Sequence, residues 1–389
     1  MRDNRSIVRT VAAAVAVSGV VSSVSAEMSF TPLGDLPGGQ FLSAASATSA
    51  NGSVVVGWSA SALGNEAFRW TQSVGMVPLG DLGTSTPFSS IGNATSADGS
   101  VVVGSGRDPA GGTIAARWTA ETGFQSLGQI PGAPAGTSVA RGVSADGTVA
   151  VGIATGASGH SEAFRWTAAT GMQSLSSFPG SLGSVPFSEA DAISSDGTTV
   201  VGRVDGVNGA EAFRWTASMG MQLMGDLPGA EFHSEALGVS RDGGVLVGFG
   251  RMFSSGGIST EIAYRWTASS GMVPLGDLPG GIERSWATSV SDDGSVVVGF
   301  SNTFDGNSVF IWDQVHGMRE LRGLLGSAGI DMTGWRLTGG SISRDGSTVC
   351  GVGIDPSGRT EGWLAVIPTP GSIGLAVFLI PFSLRRRRI

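Results

Sequence analysis

The chain has 389 residues, of which 41% are apolar and only 14% charged, with 63 glycines and 16 prolines. So little charge and so many turn formers exclude a disordered chain and point to short strands joined by tight turns. All 23 basic residues are arginine, and residues 27–370 hold 16 of them against 30 Asp and Glu, a net charge of −14 that argues against nucleic acid and anionic membrane surfaces as partners.

In chain order, Arg2, Arg5 and Arg9 precede the apolar run Val11 to Val21, and Val24-Ser25-Ala26 offers small residues at a cleavage position. This pattern predicts a secretory signal over 1–26, with processing after Ala26 and Glu27 as the first mature residue.

From there to residue 366 the chain repeats. Asn51-Gly52-Ser-Val-Val-Val-Gly57 is followed by Asp-Gly at 98, 146, 196, 242, 293 and 345, spaced by 47, 48, 50, 46, 51 and 52 residues. A period near 40–50 residues marks a propeller or array built from one supersecondary unit. Each unit reads as four strands. In the third copy these are Ser138 to Ser144, a turn at Asp146-Gly147 expected to be type I′, Val149 to Gly152, Glu162 to Trp166, and Met172 to Leu175.

The third strand carries a second tag, Glu-Ala-Phe-Arg-Trp at 66–70, 162–166 and 211–215, with variants at 114–118, 262–266 and 308–312. The seventh copy, Glu361 to Ala365, has Trp363 at the Phe position. A ring at one fixed place in every unit predicts packing between units. The five in-register arginines (69, 117, 165, 214 and 265) are expected to pair with repeat Asp or Glu residues. The fourth strand exits through Leu-Gly-Asp-Leu motifs such as 33–36 and 275–278, whose Asp residues read as turn caps because no calcium-loop spacing is present.

The mature chain opens on a fourth-strand copy, Met28 to Leu36, and the last repeat ends on a third strand with no fourth. The first fragment thus supplies what the last unit lacks, as in a ring closed on itself. The predicted fold is all-β, a seven-bladed β-propeller of four-stranded blades whose last blade is closed by the N-terminal strand. Cys350, the single cysteine, stands at a Val position of the seventh copy and is expected to be a buried apolar residue.

The motifs Leu-Gly-Asp-Leu, Ser-Ala-Asp-Gly with Val-Val-Val-Gly, and Ala-Phe-Arg-Trp, taken over residues 28–365, resemble the bacterial extracellular HAF-repeat family, with Glu-Ala-Phe here in place of His-Ala-Phe. That resemblance implies an exported protein and names no activity. Residues 367–389 hold Ile367-Pro368-Thr369-Pro370-Gly371, an apolar run from Ile373 to Leu384, and Arg385 to Arg388. Pro-rich motif, short apolar segment and Arg cluster together resemble the PEP-CTERM sorting tail, with Thr369 where that family shows Glu. The resemblance implies an exosortase-type enzyme acting at Pro368, Thr369 and Pro370, and surface attachment or release of the body. A plain terminal anchor, held by its arginines, is the alternative.

Antiparallel strands place the Asp-Gly turns at one end of every blade and the variable loops at the other, where function on repeat scaffolds usually lies. The candidates there are Arg107, Asp108, His160, Asp205, Glu231, Phe232, His233, Glu283, Arg284, Ser285, Trp286, Asp305, and 331–335. Trp286, Trp335, His233, Glu283 and Arg284 are the ligand-binding candidates, the two Trp because they fall outside the repeat. No catalytic motif, metal-ligand spacing or cofactor loop is present in the sequence. The expectation is a non-enzymatic surface or secreted propeller that binds a glycan, matrix polymer or envelope protein, or an envelope structural component. The alternative is an extracellular hydrolase or lyase acting on carbohydrate. Off-repeat carboxylates, His and Arg converging at the channel mouth would favour the enzyme.

Overall fold

In a computed structural model the chain is described at residues 27–83, 86–175, 187–206, 209–229, 233–253, 257 and 259–367. The signal segment with Ala26, the tail with Pro368, Thr369 and Pro370, and Glu231 and Phe232 lie outside the described residues.

The repeats form seven antiparallel sheets, each a blade, arranged in a ring. Numbered in chain order, the blades have as innermost strands Gly38–Thr48, Ile91–Thr95, Ser138–Val143, Ser188–Ile193, Ser234–Val239, Ser285–Val290 and Arg336–Ile342. Blades one to six run from inner to outer strand in sequence order. Blade one adds a short parallel strand, Phe88–Ser89. In blade seven the outermost strand is Ser29–Pro32, antiparallel to Thr360–Val366, with Ser29 opposite Val366 and Pro32 opposite Trp363. The first and last described strands therefore close the ring in one sheet, and the exposed edge of Thr360–Val366 is covered.

The tag Ser-x-Asp-Gly acts through its hydroxyl and carboxylate. In all seven copies the serine Oγ accepts the N–H that opens the second strand, at 2.9–3.1 Å. The Asp or Asn Oδ1 accepts the serine O–H and the N–H two residues on, as in Ser96, Asp98 and Ser100. These bonds hold the Asp98 carboxyl down to about 2. The turn is not type I′, which needs positive φ at both central residues. Among the described residues only glycines have positive φ, Gly99 at 71° for example, and Gly99 N–H donates to Ser96 O. Asp98 keeps negative φ because its carboxylate caps the following N–H, and glycine alone takes the left-handed step.

Next to the turn, one backbone N–H per blade donates to the neighbouring blade: Ala50 to Ala97 O, Ala97 to Ala145 O, Ala145 to Ser195 O, Asp196 to Arg241 O, Arg241 to Asp292 O, Asp292 to Arg344 O and Asp345 to Ala50 O, at 2.7–3.3 Å. The bonds make a closed circuit. A second joint lies at the other end of the inner strands. Ser43, Ser90, Ser138, Ser188, Ser234 and Ser285 accept, through Oγ, a third-strand N–H of the preceding blade at 2.8–3.1 Å. Between blades six and seven the short helix Leu321–Ser327 takes that place, burying Leu321 and Leu325 in the joint.

Seven apolar clusters fill the seven interfaces. Phe68, Phe164, Phe213, Tyr264, Phe310 and Trp363 are the fully buried rings of the third strands. The in-register Trp residues pack on the same clusters, Trp70 buried and Trp118, Trp166, Trp215, Trp266 and Trp312 half-buried. Cys350 is buried in the joint between blades seven and one, and burial pushes its thiol up to about 12.

Among the described residues the repeat arginines form no ion pair with Asp or Glu, and the Nε of Arg165 is buried without a hydrogen-bond partner. Arg69, Arg117, Arg214 and Arg265 donate through Nε to the turn-glycine carbonyls Gly99, Gly147, Gly243 and Gly294 of the next blade. The turn Asp and Asn residues already accept the turn's own N–H and O–H groups through Oδ1, and the guanidinium takes the turn-glycine carbonyl.

Phe30 of the closing strand lies edge-on to Trp335 at 4.9 Å and stacks on Trp363 at 5.9 Å. Phe30→Ala is expected to cost about 2–4 kcal/mol and to open the N-terminal strand to limited proteolysis. Val315→Ala, on an 82%-exposed side chain, is the control. Equal thermal midpoints and digestion patterns for the two variants would contradict closure by Ser29–Pro32.

Candidate functional site at the channel mouth

Six of the seven inner strands carry a β-bulge at one register position: Ser46, Asn93, Arg141, Asp191, Leu237 and Thr288 are the extra residues. Opposite each bulge stands the glycine of Val-Val-Val-Gly. A Cβ on Gly152 would overlap the carbonyl oxygen of Val139, and the same holds at Gly57, Gly104, Gly202, Gly248, Gly299 and Gly351 against their own inner strands. The glycine makes room for the bent strand, and the bend turns the extra side chain toward the axis. All six bulge residues line a central cavity of about 320 Å3, together with Gly340 of blade seven, whose bulge has moved to Thr338. Side chains at this position differ in nearly every blade, although the backbone around them repeats.

Blades three to five concentrate charge there. Arg141 forms ion pairs with Asp191 and, at 2.8 Å, with Glu189. Arg203 lies 3.6 Å from Glu189, 3.8 Å from Glu235 and 4.0 Å from Asp205. One carboxylate oxygen from each of Glu189, Asp191 and Glu235 lies within 4.8 Å of the other two. Two arginines already supply cationic charge to these three acids, which makes the cluster a poor divalent-ion site. The Asp191 side chain is 8% exposed, and burial, with Glu235 and Glu189 beside it, raises its carboxyl to about 8 against the pull of Arg141. Burial and Glu189 likewise raise Glu235.

The second residue of each inner strand, near the variable-loop end, also breaks the repeat. It is Glu189, Glu235 and Trp286 in blades four, five and six. Their cross-strand partners are Arg203, Phe249 and Phe300. Trp286 stacks on Phe300 at 4.7 Å and meets Phe249 edge-on at 6.4 Å, while Phe249 lies 5.9 Å from the His233 ring. The Arg284 guanidinium sits 4.7 Å from the Trp286 ring centre and is bound by Glu261. Burial, with Arg251 and Arg203 nearby, lowers His233, so its imidazole is neutral at pH 7. An aromatic row thus continues the charged cluster around the mouth.

Of the residues singled out from sequence, Trp286, His233 and Arg284 come together here, and Asp205 lies at the edge through Arg203. Glu283 precedes Arg284 in the same loop, where its backbone carbonyl accepts the Thr260 hydroxyl and its charge raises Asp277 alongside burial. Trp335 is withdrawn as a ligand-binding candidate: it is 7% exposed and packs in the blade-seven joint against Phe30. Arg107, His160, Asp305 and Asp331 are exposed and outside the cluster. Asp108 caps its own loop through Gly112 N–H at 2.6 Å. Sequence reasoning missed Arg141, Glu189, Asp191, Arg203 and Glu235 because it sought exceptions in the loops. Aligning the inner strands would have exposed them, since Glu189-Ala-Asp191 stands where Val139-Ala-Arg141 and Ile91-Gly-Asn93 stand elsewhere.

At the turn end, the residue before the repeat Asp or Asn is Ala50, Ala97 and Ala145 in blades one to three but Ser195, Arg241, Asp292 and Arg344 in blades four to seven. Arg344 reaches across the ring to Ser195 Oγ at 2.6 Å and Val143 O at 3.0 Å, and the Ser195 hydroxyl donates to Asp292. These contacts join blades seven, three, four and six and bar the channel at that end.

The sequence matches no family profile, and it matches no curated protein. Solved structures share the fold. The β-propeller domain of the Trilobed protease from Pyrococcus furiosus, described as having an open velcro topology, is similar at 11% identity and TM-score 0.54, over 84% of this chain and 94% of that one. Oligogalacturonate lyase from Vibrio parahaemolyticus is similar at 11% identity and TM-score 0.50, over 88% and 98%. TolB from Acinetobacter baumannii is similar at 14% identity and TM-score 0.44, over 78% and 76%. At 11% identity the likeness to the first two is one of fold alone, and the chain is a seven-bladed β-propeller.

The raised Asp191 sets a pH dependence of stability. Unfolded, its carboxyl titrates near 3.9; folded, it titrates at about 8. Between those values the folded state holds a proton that the unfolded state releases, so this stability is complete below pH ~4 and is lost as pH rises through about 8. Asp191→Asn is therefore expected to raise the thermal midpoint at pH 8 by roughly 2–5 °C and to leave it unchanged at pH 4. A midpoint lowered equally at both pH values would contradict the buried-proton account.

Proposed function

We propose that this protein is an exported or surface-attached, non-enzymatic propeller that binds a glycan at the mouth of its central channel. The carrying observation is Trp286, a half-buried ring on an inner strand, flanked by Phe300, Phe249 and Arg284 and continuous with the Arg141–Asp191–Glu189–Arg203–Glu235 cluster. An aromatic face beside paired carboxylates and guanidinium groups suits a polyhydroxylated ligand: the ring covers apolar C–H faces and the charged groups take hydroxyls. The acidic body supports a neutral glycan over a polyanion. Export rests on the reading of residues 1–26 and 367–389 together with the HAF-type repeat. In this reading exosortase-type processing places the body outside the cytoplasm.

A second reading, hydrolysis or lysis of a glycan, is favoured by the raised Asp191 beside two further carboxylates. Their separation, within 4.8 Å, is close to the ~5–5.5 Å of retaining glycosidases. Arg141 bonds both Glu189 and Asp191 and occupies the gap where a scissile bond would have to lie, which is why binding is preferred.

The test is a neutral oligosaccharide panel titrated against the purified protein, with product analysis of every mixture. Trp286→Ala should weaken binding at least tenfold with little change in thermal midpoint, and no shortened product should form. Cleavage would replace the binding reading with the enzymatic one; unchanged affinity in Trp286→Ala would remove the mouth from consideration. For export, N-terminal sequencing of protein recovered outside the cytoplasm should begin at Glu27, and a cytoplasmic protein beginning at Met1 would refute it.

A further inference from the structure

Beyond the mouth, blades five and six depart from the repeat a second time. The first residue after the repeat glycine is aromatic in blades one, five and six, and the fifth is aromatic in blades five and six alone, where the other blades have Ala, Pro or Val. These two blades therefore carry both rings, Phe249 with Phe253 after Gly248, and Phe300 with Phe304 after Gly299. Phe249, Arg251 and Phe253 alternate along Val245–Phe253 and share one face of it. Phe300 and Asn302 do the same in blade six, and Phe304 opens the hairpin turn that follows Thr303. Four residues of extended chain set the inner and outer rings about 13 Å apart. The outer rings face solvent, Phe253 at 53% and Phe304 at 92% exposed.

The loop from Gly280 to Arg284 ties these tips to Trp286. A Cβ on Gly280 would stand 2.9 Å from the Phe304 ring, so that ring rests on bare glycine backbone. Arg284 O accepts the Asn302 N–H at 2.9 Å, one step from the pair Trp286 and Phe300. On the other side, Glu283 O accepts the Thr260 hydroxyl of blade five, and Thr260 is the cross-strand partner of Met252, beside Phe253. Ile282, 69% exposed, stands on this loop between the two hairpins. The side chains fall into three bands: Phe249, Trp286 and Phe300 at the mouth, then Arg251, Arg284 and Asn302, then Phe253, Ile282 and Phe304 at the tips. Glu261 holds Arg284, and Asn302 Nδ2 donates to Asn307 Oδ1 at 2.6 Å, so the polar band is itself braced. A protein-docking patch has an apolar centre and a polar rim. Here the polar band runs through the middle, the order that suits a polymer presenting C–H faces and hydroxyls in turn.

We propose that blades five and six form an outer platform of the same site, which takes several consecutive units of a polysaccharide from Trp286 at the mouth to Phe253 and Phe304 at the tips. The proposal rests on the glycan reading above and adds that the ligand is a chain, read over several units on the outside of the ring. A single sugar covers one band; only a chain spans the about 13 Å to the next ring.

The experiment titrates β-1,4-linked oligomers of glucose, N-acetylglucosamine, xylose and mannose, each as dimer and hexamer, against the protein. For the sugar that binds, the hexamer should bind about tenfold more tightly than the dimer, the gain expected of two further ring contacts. Phe253→Ala combined with Phe304→Ala should abolish that gain and leave the dimer affinity and the thermal midpoint where they stand. Val315→Ala, on an exposed side chain of the turn end, should change neither. Trp286→Ala should weaken dimer and hexamer alike. The length series on the parent protein stands whatever the variants do. Equal affinity for dimer and hexamer, or a hexamer gain that survives the loss of both Phe rings, would overturn the outer platform and leave the glycan reading intact. Self-association in the analytical ultracentrifuge that the two Phe substitutions abolish would also overturn it, by assigning the tips to a second copy of the chain. Binding of no oligomer would overturn both.

Discussion

The ring depends on a single constraint: seven sheets must meet around an axis with every backbone polar group at the crowded centre satisfied. Ser-x-Asp-Gly meets it in one short turn. Its serine hydroxyl accepts the N–H that opens the second strand, its carboxylate caps the hydroxyl and the following N–H, and the neighbouring peptide donates to the next blade. The arginine of the third strand then takes the turn-glycine carbonyl of that next blade. The peptide bond to the next blade recurs at all seven joints and the arginine bond at four of them, so each blade is registered on its neighbour beside the turn. This is why the turn and the valine run repeat almost unaltered while the loops at the opposite end drift in length.

The same constraint creates the place where the blades differ. A strand at the axis must bend, the bend needs an extra residue, and the strand opposite needs glycine to admit it. The bulged side chain faces the channel, and at Asn93, Arg141 and Thr288 it also reaches the next blade, at Ala140 O, Asp191 and Gly340 O. Blades three and four use the position for Arg141 and Asp191, while blades one, two and six use it for Ser46, Asn93 and Thr288. A repeating backbone with unequal side chains on its inner rim offers a place for specificity. The charged collar, the aromatic row and the Arg344 bar sit on positions that the repeat leaves open.

Much of the architecture was legible in the sequence. The Asp-Gly spacing counts the blades, the orphan fourth strand at Met28 to Leu36 foretells the closure with Thr360–Val366, and Trp363 is recognisable as a displaced Phe. The turn geometry was not, because Asp-Gly suits a type I′ turn until the serine three residues before the glycine is given its role. The partners of the repeat arginines were hidden for a related reason: a carbonyl acceptor leaves no mark on the sequence. At the site, Trp286, His233 and Arg284 could be picked out as exceptions near loops. Arg141 and Asp191 could not be found by searching loops, since they lie inside strands at a bulge that only pairing reveals. Trp335 looked exceptional for the opposite reason, as it replaces repeat packing with a packing of its own beside the short helix.

The central claim is that recognition takes place at the mouth and inner strands of blades three to six. Hydrogen-exchange mass spectrometry of the protein with and without a bound oligosaccharide reads this directly. The account predicts added protection in the peptides covering residues 138–143, 188–193, 234–239 and 284–290, with none in the outermost strands. Protection confined to the outermost strands, or to the Asp-Gly turns at the barred end, would contradict it.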